Sequence, residues 1–174
     1  SINWGAQSFQ YSEPVNLTGV SLCIKDIGID DSLTVTIETD LSTHVPSGTL
    51  VETASTTVNS GSVGWNWVDF MFPPNVRLSS NTTYWIVAQN SAGESDGYSV
   101  IITSNNLYIN GINAYSSDKG ETWTKYPEYD FFFKAYRSTT TVVEFYDGDP
   151  DSGGTLIGSD EISPVPSEGN VTAS

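Results

Sequence analysis

At 174 residues, with 21 acidic and 6 basic side chains, the chain carries a net charge of −15 and has room for one ordinary domain and part of a second. That charge opposes phosphate backbones and anionic bilayer surfaces, so nucleic-acid and membrane-surface partners are disfavoured from the outset. With 5 Trp, 9 Tyr and 7 Phe among 37% hydrophobic residues it is too rich for a disordered chain, and no apolar run approaches the roughly 18 residues of a membrane span.

Strand-like alternation recurs roughly every 8 to 15 residues, punctuated by Gly, Pro, Asn and Ser, and helical periodicity is nearly absent. The first strand is expected over Ala6–Tyr11 and the second over Leu17–Lys25. In the second, Val20, Leu22 and Ile24 alternate with Ser21, Cys23 and Lys25, which places the thiol on the more polar face. A single cysteine excludes an internal disulfide and a thiolate metal cluster. Nucleophilic use of Cys23 would want a histidine, and His44, the one histidine, falls in an unrelated loop, "TDLSTHVPSGT". After the second strand, "KDIGIDD" with Asp26, Asp30 and Asp31 reads as an acidic connecting loop, with calcium binding as the sharper alternative.

Ser32–Thr39 sets Leu33, Val35 and Ile37 against Thr34, Thr36 and Glu38, a half-buried strand with one wet face. Strands over Gly48–Thr57, Trp65–Phe72 and Thr83–Gln89 follow, with Trp85 assigned to the core. Further strands are expected over Tyr98–Thr103, Leu107–Tyr115, Trp123–Tyr126 and Asp130–Arg137. The last of these, inside "YDFFFKAY", is apolar on both parities, which predicts a central strand covered on both faces. Composition changes at "STTT" (Ser138–Thr141), after which strands are expected over Thr141–Tyr146 and Thr155–Gly158. The pattern predicts an all-β, antiparallel, jelly-roll-like β-sandwich over residues 1–137. The shorter segment, 138–174, cannot build a core of its own, so it must pack on the first or on a neighbour. The chain opens at Ser1 without a leader and stops at Ser174 in mid-pattern, as expected of a piece excised from something longer.

The run "AQSFQ … VSLCIKDIG … LTVTIETD … PSGTLV … WNWVDFMF … VRLSSNTTYWIVAQN … DFFFKAY", over roughly residues 6–137, resembles the "choice-of-anchor" β-sandwich domain of bacterial and archaeal surface proteins. The resemblance implies an extracellular, non-catalytic module and no particular ligand. Within it, "SSDKGETW" is similar to the Asp-box of sialidase propellers, with Ser116, Asp118, Gly120, Thr122 and Trp123 at the defining positions. Physically the box is a hairpin: the aspartate accepts backbone N–H groups, Gly120 supplies a positive φ, and Trp123 covers the turn. Sialidase activity is not expected. Those enzymes hold their substrate carboxylate with three arginines, and this chain has only Arg77 and Arg137, with one box and no repeat.

The second acidic motif is "DGDPDSGG", with Asp147, Asp149 and Asp151 at alternate positions. An EF-hand would need Gly and Glu where Ser152 and Gly158 stand, so that loop is excluded. Turn formers dominate and Pro150 interrupts any ladder, which makes a solvated turn the simpler account. Calcium held by the three aspartates stays open, because neighbouring carboxylates repel without a cation; no other cofactor is implied. The segment "VVEFYDGDPDSGGTLIGSDEISPVPSEGNVTAS" resembles the middle of the CARDB module, a cell-adhesion-related domain of bacteria and archaea, which implies strands that could also complete a neighbouring sheet.

Period-two spacing places Trp65, Trp67, Asp69 and Met71 on one face and Asn66, Val68, Phe70 and Phe72 on the apolar one. Two outward indoles beside an acid would make a sugar-stacking platform; packing of at least one indole under a loop or in the core is the other reading. With 21 acids, some carboxylate pair will fall at the roughly 5 to 9 Å of a glycosidase by chance, so no hydrolase is inferred. No Ser-His-Asp set can be drawn around His44, and "GESDGYS" is a hairpin, not a phosphate loop. Sequons at Asn16, Asn81 and Asn170 permit glycosylation. The expectation is a non-enzymatic, cell-surface module for adhesion or structural interaction, its partners other surface proteins or glycans. A carbohydrate-binding module using exposed aromatics is the alternative.

Overall fold

The structure, a computed structural model, describes residues 3–26, 32–59, 65–91, 98–138 and 141–162. The acidic loop at Asp30 and Asp31, the "GESDG" run and the sequon at Asn170 lie outside these residues. The fold is all-β, built from antiparallel sheets packed against each other as in a β-sandwich. Its contacts divide into two compact units, Ser1–Arg137 and Ser138–Ser174.

In the first unit the strands are β1 (Trp4–Phe9), β2 (Val15–Asp26), β3 (Ser32–Asp40), β4 (Pro46–Asn59), β5 (Asn66–Leu78) and β6 (Tyr84–Asn90). They continue with β7 (Tyr98–Val100), β8 (Ile102–Thr103), β9 (Asn113–Ser116), β10 (Thr124–Tyr126), β11 (Asp130–Phe131) and β12 (Phe133–Arg137). One sheet has the order β10-β9-β1-β6-β3-β4. The facing sheet runs β12-β2-β5, with β7 also paired to β2; β11 and β8 pair as a separate two-stranded sheet.

The main core lies where alternation points inward from both sheets: Phe9, Leu33, Val35, Ile37 and Ile86 from one, Val20, Leu22, Ile24, Phe70 and Phe72 from the other. A second, smaller cluster forms on the opposite face of the six-stranded sheet, where Ala6, Trp85, Val87 and Ala114 are covered by Trp4, Ile112 and Trp123. The expectation for β3 changes. Its Thr36 and Glu38 are buried instead of wet, and Glu38 accepts hydrogen bonds from Gly48 N (2.8 Å), Thr36 Oγ1 (3.2 Å) and Gln89 Nε2 (3.4 Å). Burial pushes the Glu38 carboxyl above its usual pKa, against the lowering effect of these bonds.

Three local departures from the sequence pattern have physical causes. First, β5 runs on through Pro73 and Pro74, because the ladder shifts register there: Gly19 pairs Met71, while Leu17 already pairs Val76. The extra residues loop out, so neither proline owes the ladder a donor. Second, the expected strand over Leu107–Tyr115 narrows to β9; Leu107 and Ile109 are exposed in irregular chain. Third, "DFFFKAY" is not a doubly covered central strand. It breaks at Phe132, with Phe132 N donating to Ile101 O (3.0 Å) and its carbonyl accepting from Cys23 N (3.2 Å). Phe131 is buried, Phe132 is 40% exposed, and β12 flanks β2 at one side of its sheet.

In the second unit β13 (Thr141–Asp147) and β14 (Thr155–Ile162) form an antiparallel hairpin with a register shift between Phe145 and Tyr146. Its turn is one short 3₁₀ turn, Pro150–Ser152, closed by Gly153 at φ 89°.

Candidate functional site

Along β5 the inward Phe70 and Phe72 are buried while the other parity opens to solvent: Trp67 is 40% exposed, Met71 56%, and Trp65, just before the strand, 52%. Asp69 is exposed between them. Register places Cys23 of β2 opposite Trp67, Ser21 opposite Asp69 and Gly19 opposite Met71. On the far side of β2, Lys134 of β12 stands beside Ser21 and Tyr136 beside Gly19. The outer face of β12-β2-β5 is therefore an open platform with a polar centre.

At that centre the Ser21 hydroxyl donates to Asp69 Oδ1 and lies 2.7 Å from the Tyr136 hydroxyl, which in turn reaches Asp69 Oδ1 at 3.4 Å. The Lys134 ammonium sits 4.2 Å from the centroid of the Trp67 ring, a cation–π contact that fixes the indole on the surface. Ser21 and Cys23, the small residues of β2, are almost fully covered. The platform can stack on the apolar face of a ring and can hydrogen-bond through Asp69, Tyr136 and Lys134. Trp67 and Asp69 lie on this face, and Trp65 is exposed just before the strand. Lys134 and Tyr136 were missed, although the parity Phe132, Lys134, Tyr136 in "FFFKAY" was a usable signal.

The Asp-box residues build a self-contained turn. Ser116 Oγ donates to Asp118 Oδ1 (2.7 Å) and accepts from Gly120 N (2.8 Å); Asp118 accepts from Thr122 N (2.9 Å) and Thr122 Oγ1 (2.5 Å). Gly120 has φ 85°, and a Cβ there would lie 2.8 Å from the Trp4 ring. Trp123 packs with Trp4 over the second cluster, so the box closes that small core from outside. Hydrogen bonds from the Thr122 and Ser116 hydroxyls, then from Thr122 N, hold the Asp118 carboxyl down to about 2.

A depressed folded-state pKa gives stability that is present above the unfolded pKa and is lost as pH falls through the folded one. Asp118→Asn removes the charge and keeps one acceptor oxygen for Ser116 Oγ and Thr122 N, while the Thr122 hydroxyl must turn to accept from the new amide. The variant should melt below wild type at pH 7, with the gap closing between about pH 4 and 2. Thermal melts across that range check it, and a gap independent of pH would contradict the assignment.

In the second unit Asp149 caps the 3₁₀ turn, accepting from Asp151 N (3.0 Å) and Ser152 Oγ (3.0 Å). Asp147, Asp149 and Asp151 are all exposed, and among the described residues no three His, Cys, Asp or Glu side chains gather in a metal-holding arrangement. His44 bonds Asp40 (2.9 Å) in the β3–β4 turn, whereas Cys23 lies on β2 of the other sheet. Asn16 and Asn81 are exposed. No helix among the described residues is long and apolar enough to cross a membrane.

Compared with known proteins, the chain matches no protein-family model and no curated protein sequence.

Proposed function

We propose that the first unit is a non-catalytic, extracellular surface module for adhesion or structural interaction, and that its working face is the outer face of β12-β2-β5. The observation that carries this reading is the exposure of Trp65, Trp67 and Met71 around the Asp69–Ser21–Tyr136 centre. Apolar rings held in water on a strand scaffold, with polar groups fixed beside them, suit recognition more than chemistry. The resemblance to choice-of-anchor and CARDB domains supports the surface setting.

The same observation favours glycans as the ligand class. Indole faces complement the C–H face of a pyranose, while Asp69 and Tyr136 are spaced to take its hydroxyls. A net charge of −15 favours neutral chains over anionic ones. Trp fluorescence should shift when neutral polysaccharides are added, and Trp65→Ala and Trp67→Ala should each weaken binding by about tenfold or more. No response across a diverse glycan array would remove glycans and leave protein partners for this face. In the second unit, a two-stranded hairpin is marginal by itself in water. Adding β13–β14 to a neighbouring module's sheet by strand addition would extend that hairpin.

A further inference from the structure

Thr36 and Glu38 of β3 meet Gln89 of β6 in a polar cluster on the six-stranded sheet, away from the recognition face. Thr36 and Glu38 are 4% and 3% exposed, and Gln89 is half-buried. The three groups touch pairwise. Gln89 Nε2 lies 3.2 Å from Thr36 Oγ1 and 3.4 Å from Glu38 Oε1, and Thr36 Oγ1 lies 3.2 Å from that same carboxyl oxygen. Gly48 N holds the other Glu38 oxygen at 2.8 Å, which fixes the carboxyl's orientation. Register puts Thr34, not Thr36, directly opposite Gln89, but the Thr34 hydroxyl is engaged with Thr57 at 2.8 Å. The long glutamine side chain reaches the diagonal Thr36 instead.

A hydroxyl and a primary carboxamide, with one carboxyl in hydrogen-bond reach of both, are the parts of an acyl transfer. The hydroxyl is the nucleophile, the amide carbon the electrophile, and the carboxyl carries a proton from one to the other. Gln89 Cδ is one bond of about 1.33 Å from Nε2, so it lies within about 4.5 Å of Thr36 Oγ1. Turning the amide plane brings that carbon into attacking range. Burial holds the Glu38 carboxyl above its usual pKa, which suits a group that must both take and give a proton. Paired strands inside a sheet hold the groups in place, and burial shields Thr36 from water.

We propose that Thr36 and Gln89 join in an intramolecular ester that cross-links β3 to β6, with Glu38 as the proton carrier. Thr36 Oγ1 attacks Gln89 Cδ as Glu38 Oε1 takes the hydroxyl proton. Glu38 passes that proton to Nε2, the Cδ–Nε2 bond breaks, and ammonia leaves. The step consumes no oxidant and no second reactant, and escape of ammonia into solvent makes it one-way. It is a single turnover of the chain on itself, and no outside substrate is involved. The bond ties positions 53 residues apart and gives the six-stranded sheet a covalent link across its interior. None of its residues belongs to the Trp65–Trp67 platform, so it stands or falls independently of the function proposed for that face.

The test is mass spectrometry of the full chain. The intact mass should lie about 17 Da, one ammonia, below that of the sequence. Trypsin should release peptides 26–77 and 78–119 as one joined species, with fragment ions placing the link at Thr36 and Gln89. Thr36→Val and Glu38→Gln should each remove that mass deficit and free the two peptides. Thr36→Val should also lower Tm by roughly 10 °C. If either variant fails to fold, the wild-type peptide map decides alone. Unjoined peptides of full mass, even after prolonged incubation of the folded protein, would overturn the assignment. So would an ammonia loss confined to 78–119, as from ring closure at Asn110–Gly111, or a link that persists in Glu38→Gln.

Discussion

Gln7→Leu is expected to destabilise the first unit by about 3–5 kcal/mol, although the substitution nearly conserves volume and adds apolar surface. Gln7 is 0% exposed in β1, yet its amide is fully used across the sandwich. Its oxygen accepts from Phe131 N (2.8 Å), and its nitrogen donates to Asp130 Oδ1 and to Ser8 O, both at 3.2 Å. The other Asp130 oxygen accepts from Tyr108 N (2.8 Å), so one buried pair ties β1, β11 and the irregular chain before β9 together. Leucine would leave the Phe131 N–H and one Asp130 oxygen buried without partners, each costing roughly 1–3 kcal/mol. Urea unfolding of the single and double variants is the measurement. Gln7→Leu with Asp130→Leu should cost clearly less than the sum of the two, because the carboxyl stranded by the first change is removed by the second. A loss below about 1 kcal/mol for Gln7→Leu, or simple additivity, would contradict this account.

What could be read from sequence, and what could not, follows from the kind of information a period-two pattern holds. Val20, Leu22 and Ile24, and likewise Leu33, Val35 and Ile37, each alternate with polar residues, so both location and facing are written locally. For Trp65 and Trp67 the parity of Phe70 and Phe72 pointed outward but left open that one indole packs under a loop or in the core; both are exposed. Where every residue is apolar the phase is lost. "DFFF" gave no sign that Phe131 is core, Phe132 surface, and the strand broken between them. The wet face of β3 failed for another reason: Thr36 and Glu38 are buried and bond Gln89 of β6, which no local window contains.

The candidate site divides along the same line. Trp65, Trp67 and Asp69 lie on one strand and could be proposed from it. Ser21, Lys134 and Tyr136 join them only through the β12-β2-β5 register. Neither the Thr36–Glu38–Gln89 cluster nor the Gln7–Asp130 pair has any local signature, because a buried polar residue looks like a surface one until its neighbours are known.

Trp85→Ala should be the other large loss, about 3–5 kcal/mol, and its location makes it informative. Trp85 is the one large side chain buried in the second cluster, where Ala6, Val87 and Ala114 are small and cannot fill the space it would vacate. Its indole N–H donates to Asp40 Oδ1 (2.8 Å), and Asp40 also holds His44, so the change also frees one anchor of the β3–β4 turn. Trp85→Phe retains much of the ring packing and loses that donor, and should cost about 1–2 kcal/mol less than the alanine variant. The alanine variant should also loosen what rests on the cluster. Trp4 and Trp123 cover it from outside, and Trp123 is the last residue of the Asp-box. Amide exchange should therefore quicken in β9 and β10 under Trp85→Ala, beyond the change in global stability, while Phe70→Ala, in the main core, should raise exchange only through global unfolding. Equal responses in β9 and β10 to the two variants would mean that the box is held by its own hydrogen bonds alone. The expected difference instead makes Ser116, Asp118, Gly120 and Trp123 the lid of a second core, a structural use that accounts for the motif without any catalytic one.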